Sequence, residues 1–336
     1  MKKLLFPLAW GFGLALRIRH FLFDKGVFPI HKFPVKTIGV GNLAMGGTGK
    51  SVVVEALLKG FKKGQNLAVL SRGYKRKTKG FMLANATSTA QSIGDEPYQF
   101  FQNHPEVQVA VCEQRAKGIH ALLQQEHPPT AIILDDVMQH RWVEVDLLLL
   151  TTTFDALYTE DSLFPVGTLR DLRQQAKRAH LVLVTKCPQN LSAKDAAEIS
   201  QRLACSPSQK IFFTTIAYGS KVLSATRTME LADFIKKPFV LVTGIAKPKP
   251  LIDFLTALGA EFEWLNYPDH HSFSKRDLKK IQSSQYSTIL TTEKDFGRLS
   301  PRLSESSVYY LPIGLSFLFE EEAALFEQTL KRFLAT

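Results

Sequence analysis

The architecture of this chain is set by residues 36–51, which read KTIGVGNLAMGGTGKS. The apolar run TIGVG predicts a short buried strand, and SVVVEALL at 51–58 predicts the helix that follows it. Glycines between the two let successive backbone N–H groups point inward at phosphate oxygens, and the helix presents its positive end to the same anion. This order of strand, glycine-rich loop and helix predicts a phosphate-binding loop.

Different residues of the loop are expected to bind different parts of a nucleotide and its metal ion. The backbone that would bind the phosphates belongs to Gly46, Gly47, Thr48 and Gly49. Lys50 would neutralise the β- and γ-phosphates, and the Ser51 hydroxyl would bind Mg²⁺. The motif G-x-x-x-x-G-K-[ST] has Ala44 here at its first position, so a glycine-rich turn before a helix is the alternative. We prefer the phosphate loop because its glycines lie between strand and helix and Lys50-Ser51 end it.

Length and patterning predict an α/β protein of two domains. The chain has 336 residues, of which 45% are hydrophobic and 22% charged. Strand and helix patterns alternate, which is typical of mostly parallel sheets. We expect a surface helix in residues 1–30, a P-loop domain in 31–215 and a smaller α/β domain in 216–336. A C-terminal helix that packs back on the first domain is compatible with this division.

Charge and cysteine usage narrow the setting. Cys112, Cys187 and Cys205 form neither a disulfide framework nor a metal-ligand spacing, which fits a reducing compartment. The net charge of +11 predicts an anionic partner, which could be nucleic acid, an anionic membrane surface or a phosphorylated substrate.

The N-terminal segment is apolar but short. Residues 4–16 fall below the ~20 residues that a spanning helix needs. A secretory signal peptide is the first alternative, but no small-x-small cleavage site follows. Arg17, Arg19 and Lys25 alternate with apolar residues, which favours a helix lying in a membrane surface. An amphipathic helix packed on the protein's own core is the second alternative.

Two polar turns follow predicted elements of the first domain. Residues 72–80 (RGYKRKTKG) come after the strand LAVLS, where open α/β sheets bind their ligands, so an anion site and a solvated loop both remain open. Asp95 and Glu96 open a helix in the turn GDEP. They could be dipole partners of that helix, or a carboxylate that orients an acceptor hydroxyl.

Carboxylates also end the apolar strand AIIL. Asp135 and Asp136 stand where a phosphate loop's Mg²⁺ partner is expected, and a plain polar turn is the weaker interpretation. The run at 145–150 (VDLLLL) predicts a central strand. Arg170-Asp171 places a guanidinium beside a carboxylate on a later turn.

The second domain contains a histidine-bearing turn, Asp269-His270-His271. Three adjacent residues cannot all point at one metal ion, and no distant ligand cluster accompanies them. A solvated loop histidine and a role in proton transfer or phosphate contact remain the two interpretations.

Together these pieces resemble the tetraacyldisaccharide 4′-kinase family, the lipid A 4′-kinases of Gram-negative bacteria, over nearly the whole chain. The resemblance is carried by GVGNL at 39–43, GGTGKS at 46–51, LSRGY at 70–74, GDEP at 94–97, Asp135-Asp136 with Gln139-His140, G-x-L-R at 167–170, PDH at 268–270 and TEKD at 292–295. Each motif alone is weak, whereas their order and spacing are specific.

The resemblance implies transfer of a phosphoryl group from ATP, with Mg²⁺, to the 4′-hydroxyl of a tetraacylated glucosamine disaccharide 1-phosphate. It implies that Asp95 and His270 act together as the base and that Arg170 lies near the transferred phosphate. The metal ligands it implies are Ser51, Glu96, Asp135, Asp136 and Asp171. The substrate-binding residues it implies are Asn42, Arg72, Gln139 and His140.

The chain departs from the family pattern in a few places. Ser51 replaces the usual Thr, Val137-Met138 replaces Gly-Phe, and Asp171 replaces a Glu, which shortens a possible metal ligand by one methylene. GIAKP at 244–248 stands where GIGNP is commoner.

Two other classes of ATPase remain alternatives. A membrane-associated regulatory or partitioning ATPase often has K-G-G-x-G-K-[ST], and Met45 at the place of that first lysine counts against it. A nucleic-acid-binding ATPase would fit the charge, but no binding module is recognisable. We therefore expect a monomer without nucleic acid, peripheral on the cytoplasmic face of the inner membrane, whose partners are that surface and the acylated disaccharide.

Overall fold

The computed structural model of the chain describes residues 5–61, 66–269, 271–303 and 307–335. Two compact units are present: a larger one made of Met1–Ile216 and Leu315–Thr336, and a smaller one made of Ala217–Gly314. The chain returns to the larger unit after Gly314, so the expected second domain, 216–336, corresponds here to Ala217–Gly314 followed by a C-terminal segment that belongs to the first.

Helices and strands alternate along most of the chain. The α-helices are α1 (Phe6–Asp24), α2 (Lys50–Gly60), α3 (Ala90–Ile93), α4 (Asp95–Asn103), α5 (Arg115–Leu123), α6 (Ala193–Leu203), α7 (Leu231–Phe234), α8 (Lys249–Ala257), α9 (Lys275–Gln282), α10 (Glu293–Leu299) and α11 (Glu320–Ala335). The strands are β1 (Lys36–Gly41), β2 (Leu67–Ser71), β3 (Met82–Leu83), β4 (Gln108–Val111), β5 (Ala131–Asp135), β6 (Leu147–Thr153), β7 (Leu181–Thr185), β8 (Lys210–Tyr218), β9 (Lys221–Leu223), β10 (Thr228–Glu230), β11 (Phe239–Thr243), β12 (Phe262–Asn266), β13 (Ile289–Thr292), β14 (Val308–Leu311) and β15 (Ile313–Phe317).

The larger unit is built on a mostly parallel sheet. In the described part of the chain its strand order is β15-β8-β7-β6-β1-β5-β2-β4-β3. Strands β1, β2, β4, β5, β6, β7 and β8 pair in parallel, and β3 pairs antiparallel to β4. The predicted central strand is β6, which lies between β7 and β1 and is buried along its whole length. The predicted mostly parallel α/β fold is thereby confirmed.

Helices cover both faces of this sheet, as a sheet of fully buried strands requires. One face carries Ile119 and Leu122 of α5 and Ile199 of α6, packed with strand residues that include Leu134 and Val184. The other face carries α2 and α11, whose Leu57 and Phe326 pack with Val40 and Ile133. Because α11 contributes to this core, the return of the chain after the smaller unit completes the larger one.

Helix α1 is apolar on two sides. Its inner side, Ala9, Gly13, Leu16, His20 and Phe23, is buried, and a Cβ added at Gly13 would lie 2.9 Å from Leu163 Cδ1. Its outer side exposes six large apolar side chains: Phe6, Leu8, Trp10, Leu14, Ile18 and Phe21. The core-packed alternative is therefore right for one side only. No helix among the described residues is long and apolar enough to cross a membrane.

The smaller unit has its own sheet. Within the described residues its strand order is β10-β9-β14-β13-β11-β12. Strand β11 pairs in parallel with β12 and β13, and β9 pairs antiparallel with β10 and β14. Helix α8 packs on one face through Leu251 and Leu255, while Phe273 and Ile281 of the α9 region pack on the other. The predicted second α/β domain is thus present.

Candidate active site

The polar residues of the candidate site come together because two neighbouring strands end at the same edge. Strands β1 and β5 are parallel and in register, with Val40 opposite Asp135. Asn42 is the first residue after β1, and Asp136 is the first residue after β5. The carboxyl edge of a parallel sheet is where such folds bind ligands, so the structure brings these predicted residues together at a candidate site.

The loop between β1 and α2 has the backbone of a phosphate-binding loop. Gly46 has φ 108° and Gly49 has φ 83°, a region that favours glycine, and α2 begins at Lys50 immediately afterwards. The loop is held from below by hydroxyls: Thr185 Oγ1 donates to the Thr48 carbonyl over 2.9 Å, and Thr48 Oγ1 lies 2.8 Å from Thr151 Oγ1. Thr185 ends β7, so the sheet itself supports the loop.

Two cations converge on one carboxylate in front of this loop. Lys50 Nζ lies 3.5 Å from Asp136 Oδ1. Arg170 donates Nη1–H to Asp136 Oδ2 over 3.0 Å and Nη2–H to Oδ1, a two-pronged contact. Arg170 and Lys50 thus share Asp136 as a partner, and the position of Arg170 near a transferred phosphate stays a prediction.

The pKa values of the neighbouring carboxyl groups of Asp135 and Asp136 shift in opposite directions. Burial by itself would raise the pKa of Asp136, but the charges of Lys50 and Arg170 outweigh it and lower the pKa to about 2. Burial raises the pKa of Asp135, and the negative charge of Asp136 adds to that rise. A nearby divalent cation would favour the ionised form of both groups.

Asn42 and Gln139, expected to bind substrate, make hydrogen bonds within the protein. Asn42 is fully buried; its Oδ1 accepts from Arg170 and, over 3.2 Å, from Lys50, and its Nδ2 donates to Thr48 Oγ1 over 2.9 Å. Gln139 Nε2 donates to the Asn42 carbonyl over 2.8 Å. Sequence reasoning could not see this, because the direction of a side chain after a strand is decided by neighbours far away along the chain.

The basic and acidic turns pack on each other. A Cβ added at Gly94 would lie 3.2 Å from both Gly73 Cα and the Tyr74 carbonyl oxygen, so only glycine permits this approach. Gly94 (φ 98°) precedes Asp95, the first residue of α4, and Asp95 is half-buried. Glu96 lies close enough to Asp135 to add to the rise of its pKa. Two motifs that are far apart in sequence thus reach the same edge of the sheet.

A buried arginine completes the site and was missed from the sequence. Arg115 is 1% exposed and donates Nη2–H to the Asp135 carbonyl over 2.9 Å and Nη1–H to the Cys112 carbonyl over 2.7 Å. Its backbone N–H donates to His140 Nε2 over 3.2 Å. Burial and the charges of Arg115, Arg19 and Arg72 lower the pKa of His140 to about 4. The signal for Arg115 was a cation just after the end of buried strand β4.

A second missed contact joins Lys186 to the phosphate loop. Lys186 follows β7 with φ 58°, and its Nζ donates to the Gly47 carbonyl. A polar residue after a buried parallel strand was again the available signal.

Asp171 is buried beside the N-terminal helix, and its two carboxylate oxygens differ in their surroundings: Oδ1 accepts hydrogen bonds, whereas Oδ2 has no hydrogen-bond partner among the described residues. The Asp171 side chain is fully buried, and its Oδ1 lies 2.6 Å from His20 Nε2 of α1. The charge of Asp171 acts on Arg19 and Arg178, so cations already surround it. Asp171 thus contacts the N-terminal helix, and its expected metal role stays a prediction.

Several proteins similar to this chain in sequence carry the same name. A family model described as tetraacyldisaccharide-1-P 4′-kinase matches residues 1–334. The chain is 45% identical to the tetraacyldisaccharide 4′-kinase of Flavobacterium johnsoniae, over 96% of this chain and 94% of that protein. It is 38% identical to the enzyme of the same name from Phocaeicola vulgatus, over 96% and 92%.

The chain belongs to the tetraacyldisaccharide 4′-kinase family. A solved structure of a member, the "apo" form LpxK from Aquifex aeolicus in complex with ATP, superposes with a TM-score of 0.80 at 26% identity and covers 99% of each chain. The regulatory ATPase and nucleic-acid ATPase alternatives are not favoured by this membership.

Family membership leaves the roles of individual residues to the structure. Asp95, Glu96, Asp135 and Asp136 lie at the carboxyl edge of the larger sheet or on the turns packed there. His270 lies outside the described residues. Its neighbour His271 lies 3.0 Å, through Nε2, from Asp277 Oδ2 within the smaller unit.

The two departures after Asp136 are explained by packing. Val137 and Met138 are buried. A Cβ added at Gly39 would lie 2.6 Å from Val137 Cγ1, and one added at Gly41 would lie 2.6 Å from Met138 Cβ. The glycines of β1 therefore make room for this loop.

Proposed function

We propose that this chain transfers the γ-phosphoryl group of ATP to the 4′-hydroxyl of a tetraacylated glucosamine disaccharide 1-phosphate, a step of lipid A biosynthesis. The observation that supports this most directly is the convergence of Lys50 and Arg170 on Asp136 at the phosphate loop. Membership of a family of 4′-kinases names the acceptor.

The transfer forms a bond between the 4′-oxygen and the γ-phosphorus and breaks the bond from that phosphorus to the bridging oxygen, which leaves with ADP. Charge on the transferred group is stabilised by Lys50 and Arg170, since cations in a water-poor site stabilise phosphoryl transfer strongly. The acceptor hydroxyl gives its proton to Asp95, which stands half-buried at the start of α4.

The residues present suit Mg²⁺. This ion is typically bound by one or two carboxylates together with substrate phosphates rather than by a full protein cage. Among the described residues no three histidine, cysteine, aspartate or glutamate side chains gather into a metal-binding group, which agrees with such a sparse site. Ser51, Asp135 and Asp136 would hold Mg²⁺, which supplies positive charge beside the transferred phosphoryl group. Glu96, also expected as a ligand, lies close enough to Asp135 for the two charges to interact.

The acceptor is expected to meet the protein at the exposed basic turn. Arg72 is exposed directly after β2, and its positive charge helps to lower the pKa of His140. Together they offer a cation and a neutral imidazole to a phosphorylated sugar. Arg72 and His140 are therefore the residues we assign first to the substrate, and a contact of Asn42 or Gln139 with it stays a prediction.

The outer side of α1 supports peripheral association with the cytoplasmic face of the inner membrane. Trp10 is 68% exposed and Leu8 63%, on a helix that also exposes Arg17. Apolar side chains and cations on one exposed surface suit the headgroup region of an anionic bilayer. A substrate with four acyl chains stays in that bilayer, so the kinase has to work at its surface.

Transfer of label from γ-³²P-ATP tests the proposal. The full chain is incubated with tetraacyldisaccharide 1-phosphate in detergent micelles, and the lipid product is separated from ATP and phosphate. A labelled lipid whose phosphate maps to the 4′-position is expected. Stimulation of ATP turnover by polynucleotide, with no labelled lipid, would contradict the proposal.

A further inference from the structure

We propose that the inner side of α1 positions the phosphate site, through His20 and Arg19, so that the helix facing the lipid surface also orders the catalytic residues. The inference rests on the proposed function for its choice of acceptor. Two routes lead from these adjacent residues to Asn42, one through Asp171 and Arg170 and the other through Gln139.

The first route begins at the His20 imidazole, which is 3% exposed. Arg141 Nη1, which can only donate, lies 3.1 Å from His20 Nδ1, so Nδ1 accepts and Nε2 carries the proton donated to Asp171 over 2.6 Å. Asp171 Oδ1 also accepts the Leu172 backbone N–H over 2.8 Å, which fixes the turn that follows Arg170.

Arg170 then carries this order into the site. Its backbone N–H donates to the Leu43 carbonyl over 2.8 Å, and its guanidinium binds Asp136 and the Asn42 side chain. A guanidinium fork is sensitive to small shifts of its backbone because both prongs must reach their acceptors. Fixing the turn at Asp171 therefore fixes Arg170.

The second route runs beside the first. Arg19 Nη2 donates to the Gln139 carbonyl, and its guanidinium lies 5.1 Å from the Trp142 ring centroid. Gln139 Nε2 in turn donates to the Asn42 carbonyl over 2.8 Å. His20 thus acts on the side chain of Asn42, and Arg19 acts on the backbone of the same residue.

A shift of Asn42 would be passed directly to the residues expected to act in catalysis. Its side chain binds Lys50, Arg170 and Thr48, which are the two cations of the site and a residue of the phosphate loop. His20 and Arg19 contact none of the expected reacting groups, so they are positioning residues. Loss of either one should loosen Asn42 while the exposed side of α1 remains unchanged.

The test compares His20→Ala with His20→Gln in the full chain. Turnover is measured with the lipid in detergent micelles and is normalised to nucleotide sites counted by titration with ATP. We expect His20→Ala to lower turnover per site at least tenfold, with a smaller change in ATP affinity. His20→Gln keeps a donor and an acceptor and should recover most of the rate. Binding to phosphatidylethanolamine–phosphatidylglycerol vesicles should stay at the wild-type level.

A matched control comes from Lys32→Ala. Lys32 donates to Glu144 over 3.0 Å in an exposed ion pair. Like the His20 and Arg19 contacts, this pair joins the N-terminal part of the chain to residues near 141–145, but it belongs to neither route to Asn42. It should keep wild-type turnover. If His20→Ala does not fold, Arg19→Gln, which cuts only the second route, carries the same expectation, with Arg19→Lys as its conservative partner.

A double-mutant cycle decides between positioning and independent effects. His20→Ala combined with Arg170→Ala should be within about twofold of Arg170→Ala alone, because residues that act as a unit are non-additive. Losses that multiply, or wild-type turnover per site in folded His20→Ala, would overturn the inference. If the wild-type chain labels no lipid, the proposed function fails, and positioning is then judged from ATP hydrolysis per site in the same variants.

Discussion

Lys50 Nζ lies 3.5 Å from Asp136 Oδ1, so the lysine of the phosphate loop and the acid after β5 already face each other. Arg170 binds the same carboxylate from another side and helps to keep the pKa of Asp136 at about 2. The carboxylate is therefore charged at any physiological pH, and it holds both cations beside the phosphate loop. Such preorganisation is what electrostatic catalysis requires.

Replacement of this lysine should abolish most of the transfer. Lys50→Ala removes the cation nearest to the phosphate loop, and we expect roughly 10²–10³-fold lower kcat, as for loss of one preorganised electrostatic contact. Lys59→Ala, at the exposed end of the same helix, is the matched control and should behave like wild type. Label transfer to lipid is the measurement, and near-normal transfer by folded Lys50→Ala would refute the phosphate-loop assignment.

Asp95→Asn keeps the shape of the side chain but removes the proton acceptor. General-base catalysis contributes about 10²–10⁴-fold, so kcat should fall within that range while ATP affinity changes little. Glu106→Gln, an exposed carboxylate shortly after α4, should leave kcat unchanged. If Asp95→Asn weakens ATP binding as much as it slows transfer, Asp95 serves the nucleotide site rather than the acceptor.

The outer side of α1 should control access to lipid in bilayers. Leu14→Ser with Ile18→Ser removes two exposed apolar side chains, each worth about 1.5–3 kcal/mol when fully withdrawn from water. Flotation with anionic vesicles should weaken, and the rate in vesicles should fall more than the rate in micelles. Leu258→Ser, an exposed leucine of the smaller unit, is the control. Unchanged flotation of the double variant would place membrane contact elsewhere.

A buried ion pair between α2 and the end of α4 should make stability depend on pH. His104 Nε2 lies 2.7 Å from Glu55 Oε2; burial alone would lower the pKa of His104, but its hydrogen bond and charge interaction with Glu55 raise it overall. The folded protein therefore holds this proton more tightly than the unfolded chain does. The stabilisation is fully present below the ordinary histidine value of 6.5 and is lost as pH rises through the folded pKa.

Thermal unfolding of wild type and His104→Gln from pH 6 to pH 9 tests this pair. The wild-type advantage in Tm should be largest at pH 6 and should shrink towards pH 9. His120→Gln, which changes an exposed side chain of α5, is the control and should behave like wild type. A difference that is constant with pH would mean that His104 stabilises by packing alone.

Strand positions and the edge that carries the site could be predicted from local patterns. Asp135-Asp136 end an apolar run, and Lys50-Ser51 end a glycine loop that follows another. Because buried parallel strands end at one edge of the sheet, both motifs could be placed at that edge. The continuous run now seen as β6 likewise indicated a central strand. These predictions needed only neighbours in sequence.

The direction of individual side chains could not be predicted in this way. Asn42 belongs to a motif that suggested substrate contact, yet Arg170, which is distant in sequence, holds it inside the protein. Asp171 meets His20 across a comparable separation. Helix α1 is apolar on both sides, so periodicity could not say which side packs and which stays exposed. Long-range contacts, rather than local propensity, decided each of these points.

Strand β15 and helix α11 carry a consequence for how the protein is made. Residues 315–317 of β15 and the whole of α11 belong to the larger unit, yet the ribosome synthesises them only after the whole of Ala217–Gly314. The edge position beside β8 and the contacts of Phe326 and Leu330 with the core stay unfilled until then. The nascent kinase domain must therefore wait for its last strand and helix while the smaller unit is already complete, and its final assembly comes late in translation or after it.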